Sequence, residues 1–296
     1  MENSQSNAPG RHVLGRPSVY RLGTRFIGYL PRPLAYWGAR RIADASYLLC
    51  ARARDNVKRN LRRALPEADA KTIDRLAIAT FRNYSVYLVD YGVFKGLDAA
   101  SLARVLKNNE GDENIDWARS HGRGIIVLTV HIGNWELGAI YFGKRGMRIN
   151  VVAAAEGVPE IDELKREYRL RHNINTVILG GSPFSTIELL GALGRGEVVA
   201  MLVDRYNGEP GGAIASTLFG RPCSFPKGPL LMARMTGAAI LPAAVIKEGR
   251  TYRSIIGKPV IVEDEDAFPE RAAEIIRSFE RAIRQYPDQW YNFVEV

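Results

Sequence analysis

The sequence predicts an α/β protein with a largely parallel central sheet flanked by helices, behind a helical, basic N-terminal region. Three observations carry that prediction. From residue 125 onward, short β-branched apolar runs alternate with longer amphipathic stretches, the order that strand–helix units produce. Residues 125–131 (Ile-Ile-Val-Leu-Thr-Val-His), bounded by Gly124 and Gly133, read as a buried strand. Charge is segregated: residues 1–63 carry 13 Lys/Arg against 3 Asp/Glu, whereas residues 64–296 carry 28 against 29. The net charge of +9 therefore sits entirely in the N-terminal fifth, as suits an anionic surface.

Taken in order, residues 1–16 are expected to be a disordered polar and basic tail, with no apolar segment of the kind a secretory signal needs. Residues 17–110 read as a helical, membrane-facing region, and 111–296 as the α/β core, the two forming one continuous domain. Within 17–50, aromatic and aliphatic residues such as Tyr20, Phe26, Leu34 and Trp37 alternate with Arg21, Arg25, Arg32, Arg40 and Arg41. Pro31 and Pro33 break the stretch, and no 18-residue apolar run exists to cross a bilayer. Two readings remain open: amphipathic helices lying in a membrane interface, or a basic helix pair packed on the domain itself. Residues 53–65 and 69–94 are predicted helices separated by Pro66, the second capped by Asp69. A further helix is expected over 111–121.

The core then predicts strands at 125–131, 149–155, 175–179, 198–203 and 239–246, with a short pair at 252–257 and 260–262. Helices are expected at 134–144, 159–173, 184–194, 226–236 and 270–286. Two cysteines, Cys50 and Cys223, cannot build a disulfide framework, and the four histidines show no metal spacing with them. No helix-turn-helix, zinc-finger or RNP signature accompanies the basic N-terminus, so nucleic acid is not an expected partner. Dinucleotide, P-loop, serine-elbow and zincin motifs are absent from the sequence, and no cofactor or metal is expected.

Chemistry concentrates at three places. His131 closes the first core strand, Asn134 stands where a helix N-cap belongs, and Glu136 falls in the first helical turn. A strand-to-helix corner of an open α/β sheet is where ligands bind. A carboxylate five residues after the histidine suggests a general base whose imidazole is held by Glu136. The alternative is an ordinary satisfied polar histidine. Second, the strand 199–203 ends in Asp204 and Arg205, at the same sheet edge as His131 if the strands run parallel; a solvated strand end is the plainer reading. Third, the stretch 219–229 surrounds Arg221 and Lys227 with prolines and glycines ahead of a helix start at Gly228. That is either a phosphate- or carboxylate-binding loop or a proline-stiffened surface loop.

These stretches together resemble the lysophospholipid acyltransferase superfamily, and within it the late acyltransferases of lipid A biosynthesis. The resemblance rests on the His-x4-Glu corner at 131–136, the Leu-Val-Asp-Arg strand end at 202–205, and Phe219-Gly-Arg-Pro-x3-Pro-x-Gly228 continuing through Thr236-Gly to Leu241-Pro242. The C-terminal Pro287-Asp-Gln-Trp-Tyr-Asn-Phe293 also resembles that branch.

The resemblance implies acyl transfer from an acyl carrier protein or coenzyme A thioester to a hydroxyl of a membrane lipid, on the cytoplasmic face of the inner membrane. His131 would be the base and Glu136 its orienting acid. Arg221, with Arg169 or Arg171, would contact phosphate. Asn134, Asp204, Arg205, Lys227 and Gly228 would complete the substrate site. The chain departs from the pattern in three places. It carries Arg205 where glutamine is common, Arg169-Leu-Arg171-His-Asn173 where relatives carry Arg-x-Arg-x-Gly, and no unbroken hydrophobic anchor. The same branch includes acyltransferases acting on phosphatidylinositol mannosides. A non-catalytic membrane- or carrier-binding protein on the same scaffold is the competing reading.

Overall fold

A computed structural model describes residues 30–153, 159–179, 184–206 and 210–296. The expected tail over 1–16 and the first part of the expected interfacial segment, 17–29, lie outside the described residues. Three helices come first: α1 (Arg32–Leu49), α2 (Ala51–Ala64) and α3 (Ala70–Val93). Pro31 and Pro33 do not break α1; they begin it, since proline costs nothing in a first turn whose amide has no partner. Asp69 caps α3 by accepting from the Thr72 amide, as its sequence position predicts.

Two short helices, α4 (Ala99–Val105) and α5 (Asp112–Ser120), lead to the core. The core runs β1 (Ile125–Thr129), α6 (Trp135–Lys144), β2 (Ile149–Ala153), α7 (Pro159–Leu170), β3 (Ile174–Ile178), α8 (Ser185–Gly194) and β4 (Val198–Leu202). After it come the hairpin strands β5 (Ala213–Leu218) and β6 (Arg221–Pro226), then α9 (Gly228–Thr236), β7 (Ala239–Glu248), β8 (Thr251–Ile256) and α10 (Phe268–Gln285). The six-stranded sheet has the order β3-β2-β4-β1-β7-β8, parallel except where β8 turns back on β7.

Side-chain alternation along β1 divides the interior. Ile126, Leu128 and Val130 join Val199, Met201 and Val203 beneath α9 and α10. Ile125 and Val127 face Leu137 and Ile140 of α6. Two sequence expectations need correction. The proline-rich stretch over 219–226 is no loop: Pro222 and Pro226 lie in the separate β5–β6 ribbon, whose strands have free edges that tolerate a missing amide donor. Residues 260–262 contribute a single bridge, Val260 to Ile240, and the antiparallel partner of β8 is β7.

α1 is built inside out for a water-soluble surface. Its small residues Ala35, Ala43 and Ser46 are the buried ones, where it lies along α3. Its large apolar residues point away: Trp37 is 63%, Leu48 71% and Leu49 78% exposed. Half of the large apolar side chains exposed among the described residues fall between Leu30 and Leu49. Arg32 and Tyr36 do not face outward with them. Both bond to the Asp90 carboxylate of α3, whose side chain is wholly inaccessible and also receives Lys247 Nζ at 3.0 Å and the Tyr252 hydroxyl. Burial alone would push Asp90 up; the Lys247 charge and these hydrogen bonds hold it below the usual carboxylate range.

Candidate active site

The parallel register of β1 on β4 pairs Thr129 with Leu202, so residues two positions further along both strands, His131 and Asp204, meet at the carboxyl edge of the sheet. The His131 Nδ1 lies 2.7 Å from Asp204 Oδ1, and the His131 amide donates to Asp204 Oδ2 at 3.1 Å. With Nδ1 engaged, Nε2 is the nitrogen left to take a proton. The His131 side chain is 21% exposed and that of Asp204 only 3%, so the pair opens outward through the imidazole.

Burial would raise the Asp204 pKa, but the charges of His131 and Arg205 and the hydrogen bonds from His131 bring it down to about 2. Burial lowers the His131 pKa, and Arg205 and Lys165 push the same way against the pull of Asp204. The net result is a base that stays neutral below the ordinary histidine range, with an ionised carboxylate behind it.

Glu136 is paired with Arg169, whereas the carboxylate on His131 Nδ1 is that of Asp204. Although the corner places Glu136 in the first turn of α6, its side chain is 3% exposed and takes two hydrogen bonds from Arg169 of α7, at 2.6 and 3.1 Å. The fork-on-carboxylate geometry holds Glu136 below its usual pKa against the opposing effect of burial. Arg169 is thereby spent: it is 7% exposed, and a phosphate would have to displace Glu136 to reach it. Asn134 is likewise committed as the N-cap of α6, its Oδ1 accepting from Leu137 N at 3.0 Å.

Gly133 explains how the corner closes. Its φ is +60°, and a Cβ there would run into the Val245 carbonyl oxygen, which accepts from the Asn134 amide.

The other expected contacts are dispersed. Arg171 is exposed beyond the end of α7, and Arg221 is exposed on β6. Lys227 caps α9 with its ammonium 3.1 Å from Glu265, and Gly228 is the first residue of that helix. No hydrogen bond or ion pair among the described residues ties these four to His131 or Asp204. Arg205 does belong to the site, by another route. Its guanidinium bonds the Tyr291 carbonyl at 2.8 Å and the Asn292 side-chain oxygen at 3.1 Å.

The residues that the motif reading missed lie in the C-terminal segment that follows α10. Gln289, Trp290, Tyr291 and Asn292 run antiparallel across the corner, joined by the Ile132–Trp290 bridge. The signal was present in the family-like 287–293 stretch, but nothing in its composition says which edge of the sheet it crosses.

An apolar cavity of about 50 Å³ lies beside the corner, between α6 and the sheet, lined by Val127, Trp135, Ala139, Val151 and Ala200 with Glu136 at its wall. Among the described residues no group of three or more His, Cys, Asp or Glu side chains converges as a metal site requires.

The fold is an open, mostly parallel α/β sheet with a paired imidazole and carboxylate at its carboxyl edge and an apolar cavity beside them. The chain belongs to the bacterial lipid A biosynthesis acyltransferase family, whose profile it matches over residues 13–295. Its relatives include a phosphatidylinositol mannoside acyltransferase of Mycobacterium tuberculosis, 26% identical over 67% of this chain and 63% of that protein's length. It is also similar to two proteins of Escherichia coli K12. The lipid A biosynthesis lauroyltransferase is 26% identical and the palmitoleoyltransferase 24%, each over 88% of this chain and 84% of the relative. The match to the mycobacterial relative spans less than two thirds of that protein.

Proposed function

We propose that the protein is a membrane-associated O-acyltransferase that moves a fatty acyl chain from an acyl carrier protein or coenzyme A thioester to a hydroxyl of a glycolipid acceptor of the lipid A or related type. The observation that carries this reading is the 2.7 Å contact between His131 Nδ1 and Asp204, which aims the other ring nitrogen outward. In the reaction, Nε2 takes the acceptor hydroxyl proton as that oxygen attacks the thioester carbonyl. A C–O bond forms, the C–S bond breaks, and the imidazolium returns its proton to the leaving thiolate. Asp204 accepts the Nδ1 proton bond and stabilises the imidazolium while it exists. No nucleophile of the protein is required. The Glu136–Arg169 pair braces α6 against α7 and so holds the start of the helix that His131 precedes.

The outward apolar stripe of α1 supports peripheral attachment at the cytoplasmic face of the inner membrane, the arginines of α1 and α2 meeting anionic headgroups. Among the described residues no helix is long and apolar enough to cross a membrane.

Lipid extracts from a host lacking the gene, complemented with wild type or His131→Ala, test the reaction by mass spectrometry. A lipid carrying one more acyl chain only with wild type is the expected result. Identical lipids with both folded proteins on the membrane would favour the binding-protein reading. In the same cells, Trp37→Asp with Leu48→Asp should move the protein to the soluble fraction; retention would remove α1 from the attachment.

A further inference from the structure

The Asp204 carboxylate has more partners than His131. The Trp290 indole Nε1–H and the Asn292 side-chain amide each donate to its Oδ2 at 3.3 Å, the same oxygen that takes the His131 amide. The donors arrive on a segment pinned from several directions. The Tyr291 amide donates to the His131 carbonyl at 2.6 Å, and the Gly133 amide donates to the Gln289 carbonyl at 2.9 Å. The Gln289 side chain exchanges two hydrogen bonds of 2.9 Å with the backbone of Lys247. Arg205 then ties the Asn292 side chain and the Tyr291 carbonyl back to the strand end beside Asp204. Trp290 and Asn292 are almost wholly buried, so neither donor has water as an easy substitute.

We infer that residues 289–292 form a strap whose Trp290 and Asn292 are positioning residues: they hold the Asp204 carboxylate in register with His131 and share its negative charge. Asp204 Oδ1 faces the imidazole while Oδ2 is saturated by three N–H groups. A carboxylate so divided keeps its plane fixed, which fixes the ring plane of His131. It also offers the imidazolium less attraction than a carboxylate with one partner would, so the base stays free at neutral pH. The charged groups that act on the imidazole are Asp204, Arg205 and Lys165. The strap changes the influence of the first without adding a charge of its own. Both donors act through Asp204 and neither is a catalytic residue.

The kinetic arm of the test rests on the acyl-transfer reading; the spectroscopic arms do not. The full chain, labelled with ¹⁵N-histidine, is titrated by NMR as wild type, Trp290→Phe and Asn292→Ala, with the His131 signal assigned by its loss in His131→Ala. Trp290→Phe keeps an aromatic ring but loses the pyrrole part of the indole, and the N–H with it. Each variant should raise the titration of His131 by about half a pH unit. With a lauroyl thioester and a lipid acceptor, kcat should fall by up to about threefold at pH 6 and less at pH 8, with KM unchanged. A His131 titration that coincides with wild type in both folded variants would overturn the proposal.

Should a strap variant not fold, Asp204→Asn in protein labelled with ¹⁵N-tryptophan decides from the other side. The Trp290 indole N–H resonance should move upfield when its charged acceptor is lost, and an unmoved resonance refutes the contact. Shifted titrations without wild-type turnover would leave the strap standing and reject acyl transfer.

Discussion

Two buried acid–base pairs meet around one corner of the sheet, and their difference separates chemistry from support. His131–Asp204 and Glu136–Arg169 each join residues from different elements, and each has a carboxylate 3% exposed. The partners differ. The imidazole is a fifth exposed and its pKa is lowered by burial from the ordinary histidine value, whereas the guanidinium is 7% exposed, its pKa raised further still by Glu136, and so permanently charged. A proton can come and go from the first pair and not from the second. The first is therefore suited to acid–base work, and the second to fixing α6 on α7.

Substitutions can break this contrast or sharpen it. The largest effect is expected from Asp204→Asn, which keeps the shape of the side chain but reverses or loses the Nδ1 bond. Turnover should fall about 10³- to 10⁴-fold while the melting transition is little changed, a split to be read by initial rates beside calorimetry. Next comes Glu136→Ala, which leaves the Arg169 charge buried and alone. Denaturant unfolding should show a loss of about 3–5 kcal/mol, much larger than any fall in turnover of the fraction that stays folded. The smallest change is expected when both partners go together. Glu136→Met with Arg169→Met replaces the pair by apolar groups of similar length, and stability should return to within about 1–2 kcal/mol of wild type with turnover retained. A double variant that is stable but inactive would erase the contrast and return Glu136 to the chemistry.

The sequence carried the fold through periodicity: strands β1 and β4 were legible because each is an apolar run between glycines or charges, and β2 because only Asn150 interrupts its apolar run. It carried His131 as well, because a polar residue at the end of such a run stands out. It pointed to Glu136, and not to Asp204, as the carboxylate beside His131, because proximity along the chain is not proximity across a sheet. Glu136 is five residues from His131, but the helix turns its side chain towards Arg169. Asp204 becomes the neighbour only once the order β4-β1 and the Thr129–Leu202 register are known, and strand order is not written in hydrophobic spacing. The same holds for Trp290 and Asn292, whose contacts depend on where the segment after α10 crosses the sheet. The β5–β6 ribbon was obscured by its prolines, which are compatible with a free strand edge.

The Asp90 cluster bears on which face α1 turns outward. Arg32 and Tyr36, one turn apart on α1, both hold a carboxylate that is wholly inaccessible to water. Rolling α1 to hide Trp37 and Leu48 would pull those two partners away and leave Asp90 with Lys247 and Tyr252 alone. The helix is thus locked with its greasy side out, whatever surrounds it. Among the described residues nothing covers that surface, and an exposed apolar stripe of this kind is a site for association. A carboxylate in the interior thus decides which side of a surface helix meets its surroundings.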